Sequence, residues 1–393
     1  MIDLYSDRIH KTKSSFTREI LKVTETSNVI SFAGGLPNPI SFPINELSEA
    51  SERIIRSSGE KVFQYSTTEG YLPLRQAICD RYDKRFGLKF LPEDIMITTG
   101  SQQGLDLIGK VLVNKGDGII IEEPGYLGAI QAFSLCEPEF IPVTLEEDGV
   151  NLEELEQALC RKNVKLFYSV PNFQNPTGIT YSQEKRKAVY ELLQKYNVVL
   201  VEDDPYSELR FSGETLPYIG AGKLEYSVLF GTFSKTVTPG MRLGFLCTKN
   251  KQLMYHLNTA KQGSDLHTNI FAQYLIYDYL QHNDYELHIS KIKALYKKQS
   301  DAMLTAIDKY FPSSITHTTP LGGMFLWACL GNKCAALDLL AEASKQKVLY
   351  VPGDAFYTNK TGVNTLRLNY TNSAVESIEE GIRRLGSIFS KYC

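Results

Sequence analysis

Gly231-Thr232-Phe233-Ser234-Lys235-Thr236-Val237-Thr238-Pro239-Gly240-Met241-Arg242-Leu243-Gly244 lies between two apolar runs, 226–230 and 243–248. Both runs read as buried strands. A lysine and an arginine seven residues apart thus sit in a small-residue loop joining two strands, well inside the chain. Lysine is rarely buried without a task. Its pKa in water is about 10.4, so a neutral amine at pH 7 costs roughly 4–5 kcal/mol. Burial and a neighbouring cation supply that shift, and the neutral amine can then form a Schiff base with an aldehyde. Arg242 is such a cation, and its fork can also hold a phosphate. The pair points to a phosphorylated aldehyde cofactor, pyridoxal phosphate. The other reading is a solvated lysine beside an arginine paired to a carboxylate.

Working outward from this loop, short apolar runs alternate with helical patterns. Strands are predicted at 94–99, 118–122, 138–143, 164–170 and 198–202, and helices at 70–86, 102–113, 126–133, 152–160 and 182–196. This alternation indicates an α/β fold, a mostly parallel sheet covered by helices on both faces. Ligands of such sheets bind at the carboxyl ends of the strands. The residues there are Gly100-Ser101, Glu123 to Tyr126, Asn172 to Gly178, Asp203 to Tyr206, and Ser234-Lys235. After residue 250 the texture turns helical, at 251–261, 269–280 and a long run at 284–310, and the remainder reads as a smaller α/β unit. Ahead of the sheet come an amphipathic helix at 14–27, a Gly- and Pro-dense loop at 30–39, and a helix at 45–57 with Asn45 as its cap.

The totals exclude several classes. The chain has 393 residues, 43% hydrophobic and 22% charged, as in an ordinary globular protein of two or three domains. A net charge of −3 gives no general attraction to nucleic acid or anionic membrane. Seven scattered cysteines without a Cys-x-x-Cys pair suggest reduced thiols in a cytoplasmic protein. No apolar signal core opens the sequence and no run approaches a membrane span. The six histidines show no metal spacing, and no Gly-x-Ser-x-Gly elbow is present. Gly104-x-x-x-x-Gly109-Lys110 imitates a nucleotide P-loop but fails at Val111, where Ser or Thr is needed, and lies within a helix.

Each remaining candidate has a functional and a structural reading. Thr98 to Gly104 runs from a strand end into a helix, so free N–H groups and the Ser101 hydroxyl could bind an anion; Ser101 could equally be a plain N-cap. Gly34-Gly35 could let backbone approach a ligand, or simply turn the chain. Tyr126 could stack on a planar ring or pack ordinarily. Pro171 to Gly178 fixes its backbone with two prolines and a glycine, presenting the Asn175 amide to a phenolic oxygen. Asp203 closes a buried strand and must pair with something positive, of which a pyridinium nitrogen is one choice and a turn cap the alternative. Tyr206 lies three residues on, within reach of the other side of such a ring. Arg367, in the apolar strand Thr365-Leu366-Arg367-Leu368-Asn369, either pairs with a structural acid or binds a substrate carboxylate.

Taken together, Tyr65-x-x-x-x-Gly70-x-x-x-Leu74-Arg75, Gly100-Ser101-Gln102-Gln103, Tyr126, Asn175-Pro176-Thr177-Gly178, Asp203-x-x-Tyr206, Ser234-Lys235 with Arg242, and Arg367 resemble the class I pyridoxal-phosphate aminotransferases of fold type I. The resemblance covers nearly the whole chain in order. Residues 31–39 and the Phe16-Thr17-Arg18-Glu19-Ile20-Leu21 helix resemble the branch containing 2-aminoadipate and kynurenine aminotransferases. Regulators with a winged helix share this domain, but here the match starts within the first twenty residues, so that module is not expected.

The resemblance implies a large cofactor-binding domain at 45–285, a small C-terminal α/β domain at 286–393, and residues 1–44 packing on the latter. It implies that Lys235 forms the Schiff base and shuttles the substrate proton, that Asp203 pairs with the pyridine nitrogen, and that Asn175 and Tyr206 hold the phenolic oxygen. Tyr126 would stack on the ring, and Ser101, Gln102, Ser234 and Arg242 would surround the phosphate. Tyr65 would reach the phosphate in a neighbouring subunit, which implies a homodimer. Arg367 would grip the substrate α-carboxylate beside Gly35 and Asn175, and Arg18 would meet a distal carboxylate. No metal enters this scheme. The expected reaction moves an amino group from a 2-aminoadipate-like, aromatic or aliphatic amino acid to a 2-oxo acid such as 2-oxoglutarate. A lyase or decarboxylase on the same fold, and a ligand-sensing protein that keeps the cofactor without turnover, are the alternatives.

Overall fold

The computed structural model describes residues 4–12, 29–331 and 334–393. Its centre is an eight-stranded sheet of order β2-β9-β8-β7-β6-β3-β4-β5. The strands are β2 (Ile95–Thr98), β3 (Gly118–Glu123), β4 (Glu139–Glu146), β5 (Gly149–Val150), β6 (Val164–Ser169), β7 (Val199–Asp203), β8 (Ser227–Thr232) and β9 (Gly244–Cys247). Strands β4, β3, β6, β7 and β8 run parallel, while β9 is antiparallel to both β8 and β2. Residues of β3 and β8 are buried almost throughout, as near-continuous apolar runs covered on both faces must be. The β7–β8 register sets Asp203 beside Phe230, so the loop after β8 starts next to the acid.

Local chemistry places the helices. Asn151, Ser182, Asn250, Asn269 and Asp284 each cap a helix by accepting a backbone N–H, a contact of about 1 kcal/mol. The expected cap at Asn45 is not one: the helix Ile44–Val62 starts a residue earlier, behind Pro43 and without a side-chain cap. Ser101 is not a cap either. Gly100 holds that position at φ +71°, and Ser101 is the first residue of the helix Ser101–Leu112.

The long helix Tyr285–Tyr310 leads into a four-stranded antiparallel sheet of order β10-β11-β14-β13 (Thr316–His317, Phe325–Cys329, Thr365–Asn369, Val351–Pro352). Upstream, β1 (Ile30–Ser31) pairs in parallel with β12 (Val348–Leu349). The strap that follows β1 is fastened by Asn369 N–H to Phe32 O at 2.8 Å and Thr371 Oγ1 to Leu36 O at 3.0 Å. It is thereby tied to the end of β14, and its Gly35 carbonyl accepts from Lys235 in the loop after β8. One expectation is corrected here: Cys334 and Cys393 are paired as a disulfide, while the other five thiols are free. Spacing along the sequence could not show that the last helix returns its end to residue 334. Among the described residues no helix is long and apolar enough to cross a membrane. The predicted 14–27 helix, with Arg18, lies outside the described residues.

Candidate active site

Lys235 follows the end of β8 and reaches the strap, where its Nζ donates to the Gly35 carbonyl at 2.9 Å. The residue keeps part of its surface exposed, yet burial, with Arg367 and Arg242 adding like charge, pushes its amine down to about 8. A substantial fraction is thus neutral near physiological pH. The expected consequence is that cofactor-free protein captures an aldehyde faster as pH rises, with a midpoint near 8. Absorbance-monitored mixing over a pH series checks this, and a midpoint at the ordinary lysine value would remove the proposed activation.

Asp203 is 2% exposed at the end of β7. Its Oδ2 accepts from the Tyr168 hydroxyl at 2.7 Å, and its Oδ1 is buried with no partner among the described residues. Burial pushes the carboxyl up to about 7, opposed by the Tyr168 hydrogen bond and assisted by Asp204 and Glu122. A buried carboxylate oxygen of this kind calls for a cationic donor. Tyr206, also buried, has its phenol pushed up by desolvation.

Arg367 is 3% exposed. One Nη donates to Asn175 Oδ1 at 2.7 Å, the other to Ala33 O at 2.6 Å, and Nε has no protein partner. Its guanidinium stacks over Phe325 at 4.3 Å and Phe356 at 5.1 Å. Among the described residues it forms no ion pair with a carboxylate. Burial lowers it to about 10. Since Asn175 spends its carbonyl on Arg367, its amide nitrogen is the group it can offer to an acceptor. The Asn175 loop presses on β11 so closely that a Cβ at Gly178, φ +74°, would meet Phe325 O at 2.5 Å.

The phosphate candidates converge on one turn. A Cβ at Gly100 would lie 2.5 Å from Arg242 Nη2, so glycine lets the guanidinium settle over the start of the helix Ser101–Leu112. Arg242 is exposed and has φ +51°, a conformation rare outside glycine and found at constrained sites. Ser101 Oγ is buried without a protein partner. Ser234 is tied to Thr232, whose Oγ1 donates to Ser234 Oγ at 3.0 Å and accepts from Ser234 N–H at 3.1 Å. Gln102 turns its side chain to Gly128 O at 2.9 Å, beside the Tyr126 ring, leaving its backbone N–H as the group to offer an anion. Tyr65 does not join this cluster within one chain. It stands 79% exposed, edge-on to His267 at 5.8 Å.

Two supporting groups escaped the sequence reading. Tyr168 lies in an apolar strand, where a tyrosine reads as packing. Glu122 is fully buried and accepts from Ser169 and Tyr181 hydroxyls, each at 2.7 Å, from Val170 N–H at 3.0 Å and from Gln174 Nε2 at 3.0 Å. Gln174 in turn accepts from Thr177 N–H at 3.0 Å, so this carboxyl organises the Asn175 turn. The doublet Glu122-Glu123 at a strand end was the available signal.

A lysine amine of lowered basicity, a buried unpaired carboxylate oxygen and an Arg-capped helix start fit the amine, ring nitrogen and phosphate contacts of pyridoxal phosphate. The arrangement is that of a fold-type I pyridoxal-phosphate enzyme. Comparison with known proteins agrees: residues 28–385 match the family described as aminotransferase class I and II, and the chain belongs to it. It is 42% identical to aromatic-amino-acid aminotransferase 1 of Thermococcus litoralis, over 97% of this chain and 93% of that one. It is 40% identical to the 2-aminoadipate transaminase of Thermus thermophilus, over 96% and 94%. The solved structure of Pyrococcus horikoshii kynurenine aminotransferase in complex with PMP superposes with a TM-score of 0.94 at 40% identity, covering 99% of this chain and 97% of that one. The protein is an amino acid aminotransferase that uses pyridoxal phosphate.

Proposed function

We propose that this aminotransferase takes amino groups from aromatic, aliphatic or 2-aminoadipate-like amino acids and delivers them to 2-oxoglutarate, by ping-pong chemistry at Lys235. The observation that carries the reading is Arg367: a buried guanidinium that, among the described residues, has an unpartnered Nε and no carboxylate of its own, backed by Asn175 and Ala33 O. An α-carboxylate shared by amino and 2-oxo acids is its natural partner. The relatives named for aromatic, 2-aminoadipate and kynurenine substrates support the donor range.

When bound, pyridoxal phosphate supplies an electron-withdrawing ring that stabilises negative charge at the substrate α-carbon and carries the amino group between substrates. The protein's residues do the rest. Arg367 orients the substrate so that its α-hydrogen faces Lys235. Lys235 Nζ takes that proton, and the Gly35 carbonyl orients the amine. Asp203, held by Tyr168, would pair with the ring nitrogen, Asn175 and Tyr206 would hold the phenolic oxygen, and Tyr126 would pack against the ring. Ser101, Ser234, Arg242 and the Gln102 N–H would hold the phosphate. The exposed Tyr65 completes the site of a second subunit in a cytoplasmic homodimer. The domain division at 44/45 and 285/286 belongs to the same reading.

A panel of amino acids with 2-oxoglutarate tests the assignment. The expected products are a 2-oxo acid and glutamate in equal amounts. Ammonia or carbon dioxide without glutamate would overturn it in favour of a lyase or decarboxylase. Arg367→Met is expected to raise KM for every amino acid by about 100-fold, the value of a lost charge-assisted pair of about 3 kcal/mol. An unchanged KM would remove its role. Arg18→Ala is expected to raise KM for 2-oxoglutarate more than for pyruvate, and equal effects would end that assignment.

A further inference from the structure

Lys261, in the helix Lys251–Gln262, is wholly buried and takes no part in the chemistry above. Its ammonium meets Gln103 Oε1 at 2.9 Å, both Asp265 carboxylate oxygens at 2.7 and 3.0 Å, and Thr268 Oγ1 at 3.0 Å. Gln103 Oε1 also accepts the Thr99 N–H at 2.8 Å, and Thr99 Oγ1 donates to Asp265 at 3.1 Å. Thr268 Oγ1 reaches Ile97 O at 3.3 Å. One buried cation thereby joins the end of β2, the first turn of the helix Ser101–Leu112, and the loop after its own helix.

We infer that Lys261 is a positioning residue for the phosphate end of the cofactor, acting through Gln103 on the Thr99-Gly100-Ser101 turn. The inference rests on the cofactor reading above and adds a residue to it. Gln103 presents its oxygen to Thr99 because Lys261 demands an acceptor at that spot; the two ends of a carboxamide are otherwise nearly isosteric. Thr99 precedes Gly100, where the Arg242 guanidinium stands so close that a Cβ would displace it. A small rotation of this turn therefore moves Ser101 Oγ and the helix N–H groups relative to Arg242. Stability alone does not call for a charge here, since a well-packed apolar side chain replaces buried ion pairs without loss in many proteins. Asp265 is partly exposed and can be solvated when the lysine is gone.

The test uses Lys261→Met and Gln103→Met. Holoenzyme is stripped of cofactor, and equilibrium binding of pyridoxal phosphate and of pyridoxal, which lacks the phosphate, is measured by absorbance alongside thermal melting. Both variants are expected to bind pyridoxal phosphate about 10- to 100-fold more weakly, the range for groups that orient a ligand's direct contacts, with pyridoxal affinity nearly unchanged. Equal weakening of both ligands, or the parental ratio in both variants, would overturn the inference. Should Lys261→Met not fold, Gln103→Met decides on the same ratio, because it leaves Lys261 its Asp265 and Thr268 partners. The parent enzyme's own preference for pyridoxal phosphate over pyridoxal reports on the cofactor reading separately.

Discussion

Lys235→Ala is expected to lower kcat by about 10⁴-fold, the upper range for loss of a positioned general base. The physical basis is the low basicity of this amine, pushed down to about 8 by burial and by Arg367 and Arg242. A group that both accepts and releases a proton near neutral pH works best with a pKa close to that pH. Lys235→Arg separates basicity from charge. It keeps a cation at the same place but remains protonated at every working pH, so it is expected to be as inactive as the alanine variant. Steady-state transamination with glutamate detection reads both. An arginine variant retaining a tenth of the parent rate would show that charge, not proton transfer, is what position 235 provides.

Asp203→Asn is expected to lower kcat/KM by about 10²- to 10³-fold, equivalent to roughly 3–4 kcal/mol for a desolvated charge pair. The substitution is nearly isosteric, and the carboxamide oxygen can still accept from the Tyr168 hydroxyl. Its NH₂ would then face the position of Asp203 Oδ1, the buried oxygen without a protein partner. Two donors would meet there, the amide and a protonated ring nitrogen, so the ring would have to give up its proton. The loss of electron withdrawal should appear in the cofactor's absorption spectrum as well as in rate. Asp203→Glu keeps the charge and is expected to recover part of the activity. An asparagine variant with parental spectrum and rate would show that Oδ1 does not serve the ring.

Much of this was legible before any coordinates. The parallel sheet could be read from short apolar runs separated by helical periods, because strands buried on both faces need no polar alternation. Lys235, Asp203, Asn175 and Ser101 stood out because each follows the end of an apolar run, where an α/β sheet exposes its backbone to ligands, and Asn175 and Ser101 also adjoin a proline and a glycine. Helix starts were less legible. Ser101 could be read as a cap or as an anion contact, yet Gly100 takes the cap position, at a positive φ of +71° that favours glycine. The Cys334–Cys393 pairing escaped for a related reason: it depends on where the final helix ends in space.

The order of residue types along the chain determined the class of chemistry, since a lysine and an aspartate at strand ends, an arginine in the loop after the lysine and another inside an apolar strand admit few cofactors. Only the tertiary structure decided which of their alternative partners each one has. Among the described residues Arg367 proved to pair with no carboxylate and Asp203 to keep one bare oxygen, while Lys261 binds three segments together. Partners come from strands and loops far apart in sequence, and burial turns a missing or present contact of a few ångströms into a large difference in free energy.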